Sequence, residues 1–462
     1  MGLPSARRAM TARVLLVSGV PDHARLLKAR LAAEHYQVAS ARTGAEALRL
    51  SGEWRPDIVL LDTTLAGMDG SEVCERLKTD PTVSHIPVVM VTSRDETAER
   101  ARALAAGVDD FLSKPVAFDT LLARLRGLVR LKRLLDEWRA RAETAHLLGL
   151  ADGSVELPAI AGTQVLVVND GALEGRSLAA SLACEGLTSV IARNEAEMQA
   201  MTAINSFDLI VLNLSLAGGN SLAQALRLRA SQQTQDVPLL LIADCDEHIV
   251  CGFDLGANDW LSRPVEVNEF RARARNQIRR RLYQQRLRAS LDQGLAPAIG
   301  DPLTGLYNHR YVLQHLHTLL GAASGHNLAV LMIDLDHFKR INSNYGPLAG
   351  DQALRAVAAT LRANLRVVDT LARYGGEEFV ALMPGTSLGE ATGAGERLRD
   401  AVAGMRFSPA GQSQPHRLTV SIGVAASADA SVTSERLLEL ADRALVRAKH
   451  NGRNRVEVAC AD

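Results

Sequence analysis

Four short segments occur twice in this chain, in the same order, and that repetition limits the possible folds more than any other feature of its 462 residues. Val14-Leu-Leu-Val17, Asp57-Ile-Val-Leu-Leu-Asp62, Ile86-Pro-Val-Val-Met-Val91 and Gly107-Val-Asp-Asp-Phe-Leu-Ser-Lys-Pro115 form the first set. Val165-Leu-Val-Val168, Asp208-Leu-Ile-Val-Leu-Asn213, Val237-Pro-Leu-Leu-Leu-Ile242 and Gly256-Ala-Asn-Asp-Trp-Leu-Ser-Arg-Pro264 form the second. Short β-branched runs alternating with helical patterns of Ala, Leu and Arg predict βα units wound about a parallel sheet, once per copy. Ligands of such sheets bind at the carboxyl ends of the strands.

The last third follows a different plan. Leu328-Ala-Val-Leu-Met-Ile333 reads as a buried strand ending in Asp334-Leu335-Asp336. A period of two predicts that Asp334 and Asp336 share a face. Two carboxylates about 4 Å apart repel by roughly 4 kcal/mol at an effective dielectric of 20, so a cluster completed by Glu377 calls for a cation. All-oxygen ligands point to Mg²⁺ or Mn²⁺. Further on, strands predicted over Val367–Tyr374 and Phe379–Met383 flank Gly375-Gly376, which suits a two-residue hairpin turn with positive φ. A tip without bulky side chains lets a large ligand approach the backbone, with Glu377 and Glu378 at its exit.

Arg373-Tyr-Gly-Gly-Glu-Glu-Phe379 resembles the signature of GGDEF-domain diguanylate cyclases, and the likeness runs from Asp301-Pro-Leu-Thr-Gly-Leu-Tyr-Asn308 to Asn451-Gly-Arg-Asn454. The resemblance implies an α+β domain with a central, mostly antiparallel sheet. It implies that Asp334, the carbonyl of Leu335 and Glu377 bind the metal, and that Asn342 and Asp351 read the guanine edge. Phe338, Lys339, Lys449 and Arg453 would surround the triphosphate, with Gly375 and Gly376 leaving room for base and sugar. Glu378 is a candidate for helping to deprotonate the attacking hydroxyl. Ser343 and Pro347-Leu348 depart from the family pattern, as does His309, without removing any of these residues. Arg366-Val-Val-Asp369, separated from Gly375 by five residues, has the position of the family's inhibitory product site, with Arg397 as a third contact. The plainer reading of that motif is an exposed Arg–Asp pair worth ~0–1 kcal/mol.

Both copies of the repeat resemble receiver domains of two-component signalling, flavodoxin-like in fold. In the first, Asp62 stands where the phosphoacceptor would, with Thr92 and Lys114 as the switch hydroxyl and phosphate-binding lysine. Ser18-Gly19 replaces the acidic pair that would hold Mg²⁺. Phosphoryl transfer to a carboxylate relies on that ion, so Asp62 is expected to be phosphorylated poorly or not at all; a leftover polar residue at a strand end is the alternative. In the second copy Asn213 and Arg263 replace acceptor and lysine, although Asn169-Asp170 keeps one acid. An amide is a poor nucleophile, so this copy cannot run the same reaction; the resemblance implies an adaptor that packs receiver against receiver in a homodimer.

The expected organisation is therefore receiver 13–135, degenerate receiver 164–285 and cyclase 297–460. Two helical linkers are predicted, Leu121–Leu148 and Glu266–Leu291, followed by a hinge over Gly294–Gly300. In the second linker Phe270, Ala274, Ile278, Leu282, Leu287 and Leu291 form a stripe, either a coiled-coil seam or a face packed on its own domain. Fifty-two basic and 52 acidic residues give a net charge of +0, so neither nucleic acid nor an anionic membrane is the expected partner. Cys74, Cys184, Cys245, Cys251 and Cys460 show no CxxC spacing and read as small core residues with one tail thiol in a reducing compartment. No apolar run approaches the ~20 residues of a membrane span, so a cytoplasmic protein is expected. The reading that follows is a Mg²⁺- or Mn²⁺-dependent cyclase taking GTP to cyclic di-GMP, activated by dimerisation, inhibited by its product and addressed by a sensor histidine kinase. A non-catalytic cyclic di-GMP-binding scaffold is the alternative.

Overall fold

The structure, a computed structural model, describes residues 12–80, 82–92, 103, 106–116, 118–150, 159–215, 221–231, 233–243, 257–292, 299–322, 327–408, 416–427 and 432–459. The chain divides into two compact units, Met1–Leu135 with Leu157–Tyr283, and Asp136–Glu156 with Gln284–Asp462.

The first unit contains two parallel five-stranded sheets. β1 (Arg13–Val17), α1 (Pro21–Ala33), β2 (Gln37–Ala41), α2 (Gly44–Trp54), β3 (Ile58–Asp62), α3 (Gly70–Thr79), β4 (Val88–Thr92) and β5 (Asp110–Ser113) build the first, ordered β2-β1-β3-β4-β5. Helix α4 spans Phe118–Leu147. The second comprises β6 (Gln164–Val168), α5 (Ala172–Ala183), β7 (Thr188–Ala192), α6 (Glu195–Ile204), β8 (Leu209–Asn213), α7 (Ser221–Ala230), β9 (Leu239–Ala243) and β10 (Asp259–Ser262). Its order, β7-β6-β8-β9-β10, is the same arrangement. β3, β4, β8 and β9 are buried along their whole length, which is why their sequences lack the alternation of half-exposed strands. The repetition extends to single hydrogen bonds. Asp57 accepts from the Arg13 amide at 2.8 Å, as Asp208 does from Gln164 at 3.0 Å. Thr43 caps α2 through the Glu46 amide, as Asn194 caps α6 through Glu197.

Helix α8 (Val267–Asp292) closes this unit's sequence. Phe270, Ala274 and Ile278 enter the core of the second sheet and Leu282 packs against it, so at these positions the apolar stripe serves its own domain. Arg124 of α4 and Arg273 of α8 are buried with Asp110, which opens β5, and pair with the half-buried Asp259, which opens β10. Arg273 reaches Asp259 at 3.0 Å and Asp110 at 3.4 Å; Arg124 reaches Asp259 at 3.1 Å. The positions are equivalent in the two copies, so the cluster has approximate two-fold symmetry. Burial pushes the Asp259 carboxyl up to about 6 against the pull of Arg124, with Asp110 adding to the rise. Cys74 is a core residue, its thiol raised to about 12 by burial, whereas Cys184, expected inside, is exposed at the end of α5. Leu182 and Leu187 on either side of it enter the core of the second sheet instead. Cys245, Cys251 and Cys460 lie outside the described residues, as does the expected hinge up to residue 298.

The second unit has a mixed five-stranded sheet, ordered β12-β13-β11-β14-β15, in which only β14 and β15 run parallel. Its elements are α9 (His309–Ala322), β11 (Leu328–Leu335), α10 (Phe338–Tyr345), α11 (Pro347–Ala363), β12 (Thr370–Gly375), β13 (Glu378–Pro384), α12 (Leu388–Gly404), β14 (Val420–Ser427), α13 (Ser434–His450) and β15 (Val456–Val458). β11 is central and separates two cores. Ala329, Leu331, Ile333 and Leu335 face α11 and α12; Leu328, Val330 and Met332 face α9 and α13. α13 is capped by Thr433, whose hydroxyl accepts from the Arg436 amide.

The last turns of α4, from Asp136 onward, belong to this second unit, and Ala140 joins the core beside α9. Glu137 and Arg141, one turn apart, are buried with a direct ion pair at 2.6 Å. His315, fully buried on α9, reaches Glu137 at 3.2 Å and the Thr144 hydroxyl at 2.9 Å. Arg141 also donates to the carbonyls of Val367 and Asp369 and to the Thr370 hydroxyl. Burial alone would raise the Glu137 carboxyl, but Arg141 and His315 outweigh it and hold it at about 2.

Candidate active site

The hairpin between β12 and β13 differs from expectation by one residue. Gly375 pairs with Glu378 and still belongs to β12, so the two turn residues are Gly376 and Glu377. Only Gly376 has a positive φ, +47°. This places Glu377 on the turn and Glu378 at the start of the strand. The turn is held from inside by Arg373, which donates twice to the Gly376 carbonyl, at 2.7 and 3.0 Å, and pairs with Asp301 at 3.2 Å. Asp301 in turn accepts from the Thr304 amide and hydroxyl. These two residues scaffold the turn, and both lie in motifs that the sequence offered without a role for them.

Asp334, at the end of β11, is opposite Glu378 and forms an ion pair with Lys449 of α13 at 2.7 Å. Burial pushes the Asp334 carboxyl up to about 6; Lys449 opposes this, and Glu377 and Glu378 add to it. The Leu335 amide donates to the Glu377 carbonyl at 3.3 Å, tying the turn to β11. Asp334 thus has one ammonium partner and two further carboxylates near enough to repel it, and Asp334, Glu377 and a carbonyl oxygen are donor types that suit a hard cation. Asp336 does not join them. It keeps the face of Asp334, as the alternation predicts, because its amide continues the ladder to the Thr419 carbonyl and its Oδ1 accepts from Ser421, which lies opposite Asp334. Asp336 instead accepts from Thr419, Ser421 and the Asn454 amide. Among the described residues no three His, Cys, Asp or Glu side chains converge as a metal cluster.

Helices α10 and α11 bring the other candidates to the same unit. Phe338 opens α10 and packs partly against the core, while Lys339 is exposed beside it. Asn342, in α10, lies against α11 at Gly350. A Cβ there would stand 1.9 Å from Asn342 Oδ1, so the glycine before Asp351 is what admits the asparagine. Pro347 takes the first position of α11, where a missing N–H costs nothing. Arg453 follows α13 in a loop with φ +61° and is exposed. Glu378 and Tyr374 also line an open cavity of about 1100 Å³, with His309, Arg310, Glu435 and Asp442 among its walls.

The inhibitory-site candidates are less exposed than expected. Asp369 is 3% exposed and accepts from the Arg366 amide at 2.9 Å, closing its own turn. Its carboxyl is raised to about 6 by burial, against the Arg366 amide and guanidinium. Arg397 is exposed on α12 and donates to Gly393 of that helix at 3.1 Å.

In the first unit Asp62 is buried at the carboxyl end of β3. Its carboxylate accepts from the Ser18 hydroxyl at 2.8 Å and is paired with Lys114. Thr92, also buried, ends β4, and its carbonyl accepts from the Lys114 amide. In the second copy Arg263 forks onto Glu174 at 2.8 and 3.1 Å, and Asn213 donates to Asp170 at 3.4 Å. That pocket is filled by its own ion pair, with Glu174 a partner the sequence had not indicated.

Comparison with known proteins agrees with this division. Residues 298–455 match the family "Diguanylate cyclase, GGDEF domain" and residues 14–126 the "Response regulator receiver domain". The response regulator PleD of Caulobacter vibrioides is 39% identical over 451 residues, 97% of this chain and 99% of that protein. Diguanylate cyclase DgcP of Pseudomonas aeruginosa is 44% identical over 164 residues, 35% of this chain and 24% of that one. The crystal structure of the GGDEF domain of DgcB from Caulobacter crescentus, in complex with c-di-GMP, is 30% identical with a TM-score of 0.35, covering 36% of this chain and 96% of that one. GGDEF cyclases are metal-dependent. No helix among the described residues is long and apolar enough to cross a membrane. With a relative matched from end to end and a receiver preceding a GGDEF domain, the chain belongs to the PleD-type diguanylate cyclase response regulators.

Proposed function

We propose that the chain condenses two GTP molecules into cyclic di-GMP and releases two pyrophosphates. Each 3′-hydroxyl attacks the α-phosphate of the other nucleotide; two P–O bonds form, two break, and each hydroxyl loses its proton. The observation that carries the reading is the sheet end itself, where Asp334 pairs with Lys449 and feels the charges of Glu377 and Glu378, beside two glycines with open space where a Cβ would go. Asp334, the Leu335 carbonyl and Glu377 would hold Mg²⁺ or Mn²⁺, which when bound supplies charge neutralisation at the phosphates. Asn342 and Asp351 orient guanine, and Phe338 borders the nucleotide. Lys339, Lys449 and Arg453 neutralise the triphosphate, and Glu378 is placed to take the hydroxyl proton. Gly375 and Gly376 leave the space above the turn to base and sugar. Most of the rate then comes from alignment and electrostatic stabilisation.

One such domain offers one GTP site, so two chains must face each other, and a homodimer is the active species. Feedback is assigned to the Arg366–Asp369 turn, with Arg366 and Arg397 presenting guanidinium forks to the product and Asp369 holding the turn. Turnover is not routed through phosphorylation of Asp62 in this reading, its carboxylate being paired with Lys114 and accepting from the Ser18 hydroxyl.

Purified full-length protein incubated with GTP and Mg²⁺, with products separated by chromatography, tests the assignment. Cyclic di-GMP is expected from the wild type and is lost in Glu377→Gln. Binding of cyclic di-GMP with no turnover of GTP establishes the scaffold reading instead.

A further inference from the structure

Asp336 is a buried acid beside the site that the reaction scheme leaves without a task. It is 5% exposed, and both oxygens are used. Oδ1 accepts from the Ser421 hydroxyl at 2.6 Å. Oδ2 accepts from the Thr419 hydroxyl at 2.8 Å and from the Asn454 main-chain amide at 3.0 Å. Its own amide donates to the Thr419 carbonyl at 2.9 Å. One carboxylate therefore joins the end of β11 to β14 and to the loop that follows α13.

That loop carries Arg453, and its backbone is unusual. Arg453 and Asn454 are consecutive non-glycine residues in the left-handed region, at φ +61° and +47°. Asn adopts this conformation readily and Arg does not, so the surroundings must impose it. The Arg453 amide donates to the Ala448 carbonyl at 3.0 Å, which closes the end of α13. Arg399 holds the Asn454 side chain at 3.3 Å. Asp336, itself buried, holds the Asn454 main chain, and strained residues held in this way cluster where a side chain must be aimed.

We propose that Asp336 is a positioning residue for nucleotide binding: it clamps the loop at Asn454 and thereby aims Arg453 at the triphosphate end of the site, opposite Lys449. The assignment rests on the GTP reading above and separates the two acids of Asp334-Leu335-Asp336 by task. Asp334 serves the ion, and Asp336 serves the cation that grips the phosphates. A neutral amide can keep much of the clamp, because one carbonyl oxygen can serve Thr419 and Asn454 while Ser421 rotates to accept from the NH₂. An ion ligand would not tolerate that exchange.

The test is equilibrium binding of a non-hydrolysable GTP analogue in Mg²⁺ to the full-length chain, by calorimetry. Asp336→Ala is expected to weaken binding about tenfold, the size of one lost charge-assisted contact. Added to Arg453→Ala it causes no further loss, since both act through one guanidinium. Asp336→Asn recovers most of the affinity at an unchanged Mg²⁺ requirement. Additive losses in the double variant overturn the proposal, and so does an Asp336→Asn protein as weak as Asp336→Ala with a raised Mg²⁺ requirement. Should Asp336→Ala fail to fold by circular dichroism, Ser421→Ala, which frees one carboxylate oxygen, replaces it: a smaller loss that vanishes in the Arg453→Ala background is expected, and wild-type affinity overturns the idea. Wild-type protein that binds no analogue overturns the nucleotide reading itself, and this inference with it.

Discussion

Two adjacent glycines at the hairpin have different physical reasons for being glycine. Gly376 needs its φ of +47°, whereas Gly375 has ordinary strand geometry and open space where a Cβ would go. Gly376→Ala should therefore destabilise the protein by about 1 kcal/mol through backbone strain. Gly375→Ala should leave stability within ~0.5 kcal/mol of wild type yet weaken GTP binding by about tenfold or more, because the added methyl meets only the ligand. Urea unfolding beside nucleotide calorimetry separates the two. Wild-type GTP affinity in Gly375→Ala would show that the bare turn is not nucleotide space. The acids of the site were legible as residue types in their motifs. Their division of labour was not, because it is set by the partners of Asp336 at Thr419, Ser421 and Asn454, about 80 to 120 residues away in sequence.

At the scale of elements, the helix pattern from Leu121 to Leu148 was visible, and α4 fills it with small shifts at either end. What its polar residues do was not visible, because Glu137 and Arg141 at a spacing of four look like any exposed helical pair. In the structure both are buried, and their partners on α9 and at Thr370 are about 180 to 230 residues away in sequence. Glu137→Gln should destabilise the docking of these turns by about 3 kcal/mol, since it leaves Arg141 buried without its counter-charge. Hydrogen exchange of the amides from 136 to 147 should rise accordingly. The acid side of the stability curve should change as well. The folded value of about 2 lies below the ordinary 4.5, so the contribution is complete above 4.5 and is lost as pH falls toward 2. The variant should lack that part of the acid transition; an identical acid curve would remove Glu137 as its source.

For the whole molecule, the central question is what the first receiver can still do. Asp62 accepts from Ser18, where the family resemblance implies an acid, and is paired with Lys114, so its charge is balanced without a divalent ion. Incubation with acetyl phosphate and Mg²⁺ should give no phosphoryl adduct by intact mass. Ser18→Asp combined with Gly19→Asp should create the missing pair and bring an adduct at Asp62 that Asp62→Asn abolishes. Rapid stoichiometric labelling of the wild type would refute the expectation. Product feedback belongs to the same scale: Arg366→Ala should relieve inhibition by added cyclic di-GMP, read as product formation at increasing inhibitor.

The repeat, the all-apolar strands and the order of motifs in the last third determined two parallel sheets, a mixed sheet and the family by sequence alone. Periodicity and turn chemistry act over a few residues, so they are written locally. Tertiary structure decided which carboxylate pairs with Lys449 and which holds the loop after α13, that the Arg366–Asp369 turn buries its acid, and that Arg263 pairs with Glu174. Each of these outcomes depends on which distant groups share one low-dielectric space, where an unmatched charge is costly and a matched one is held fast.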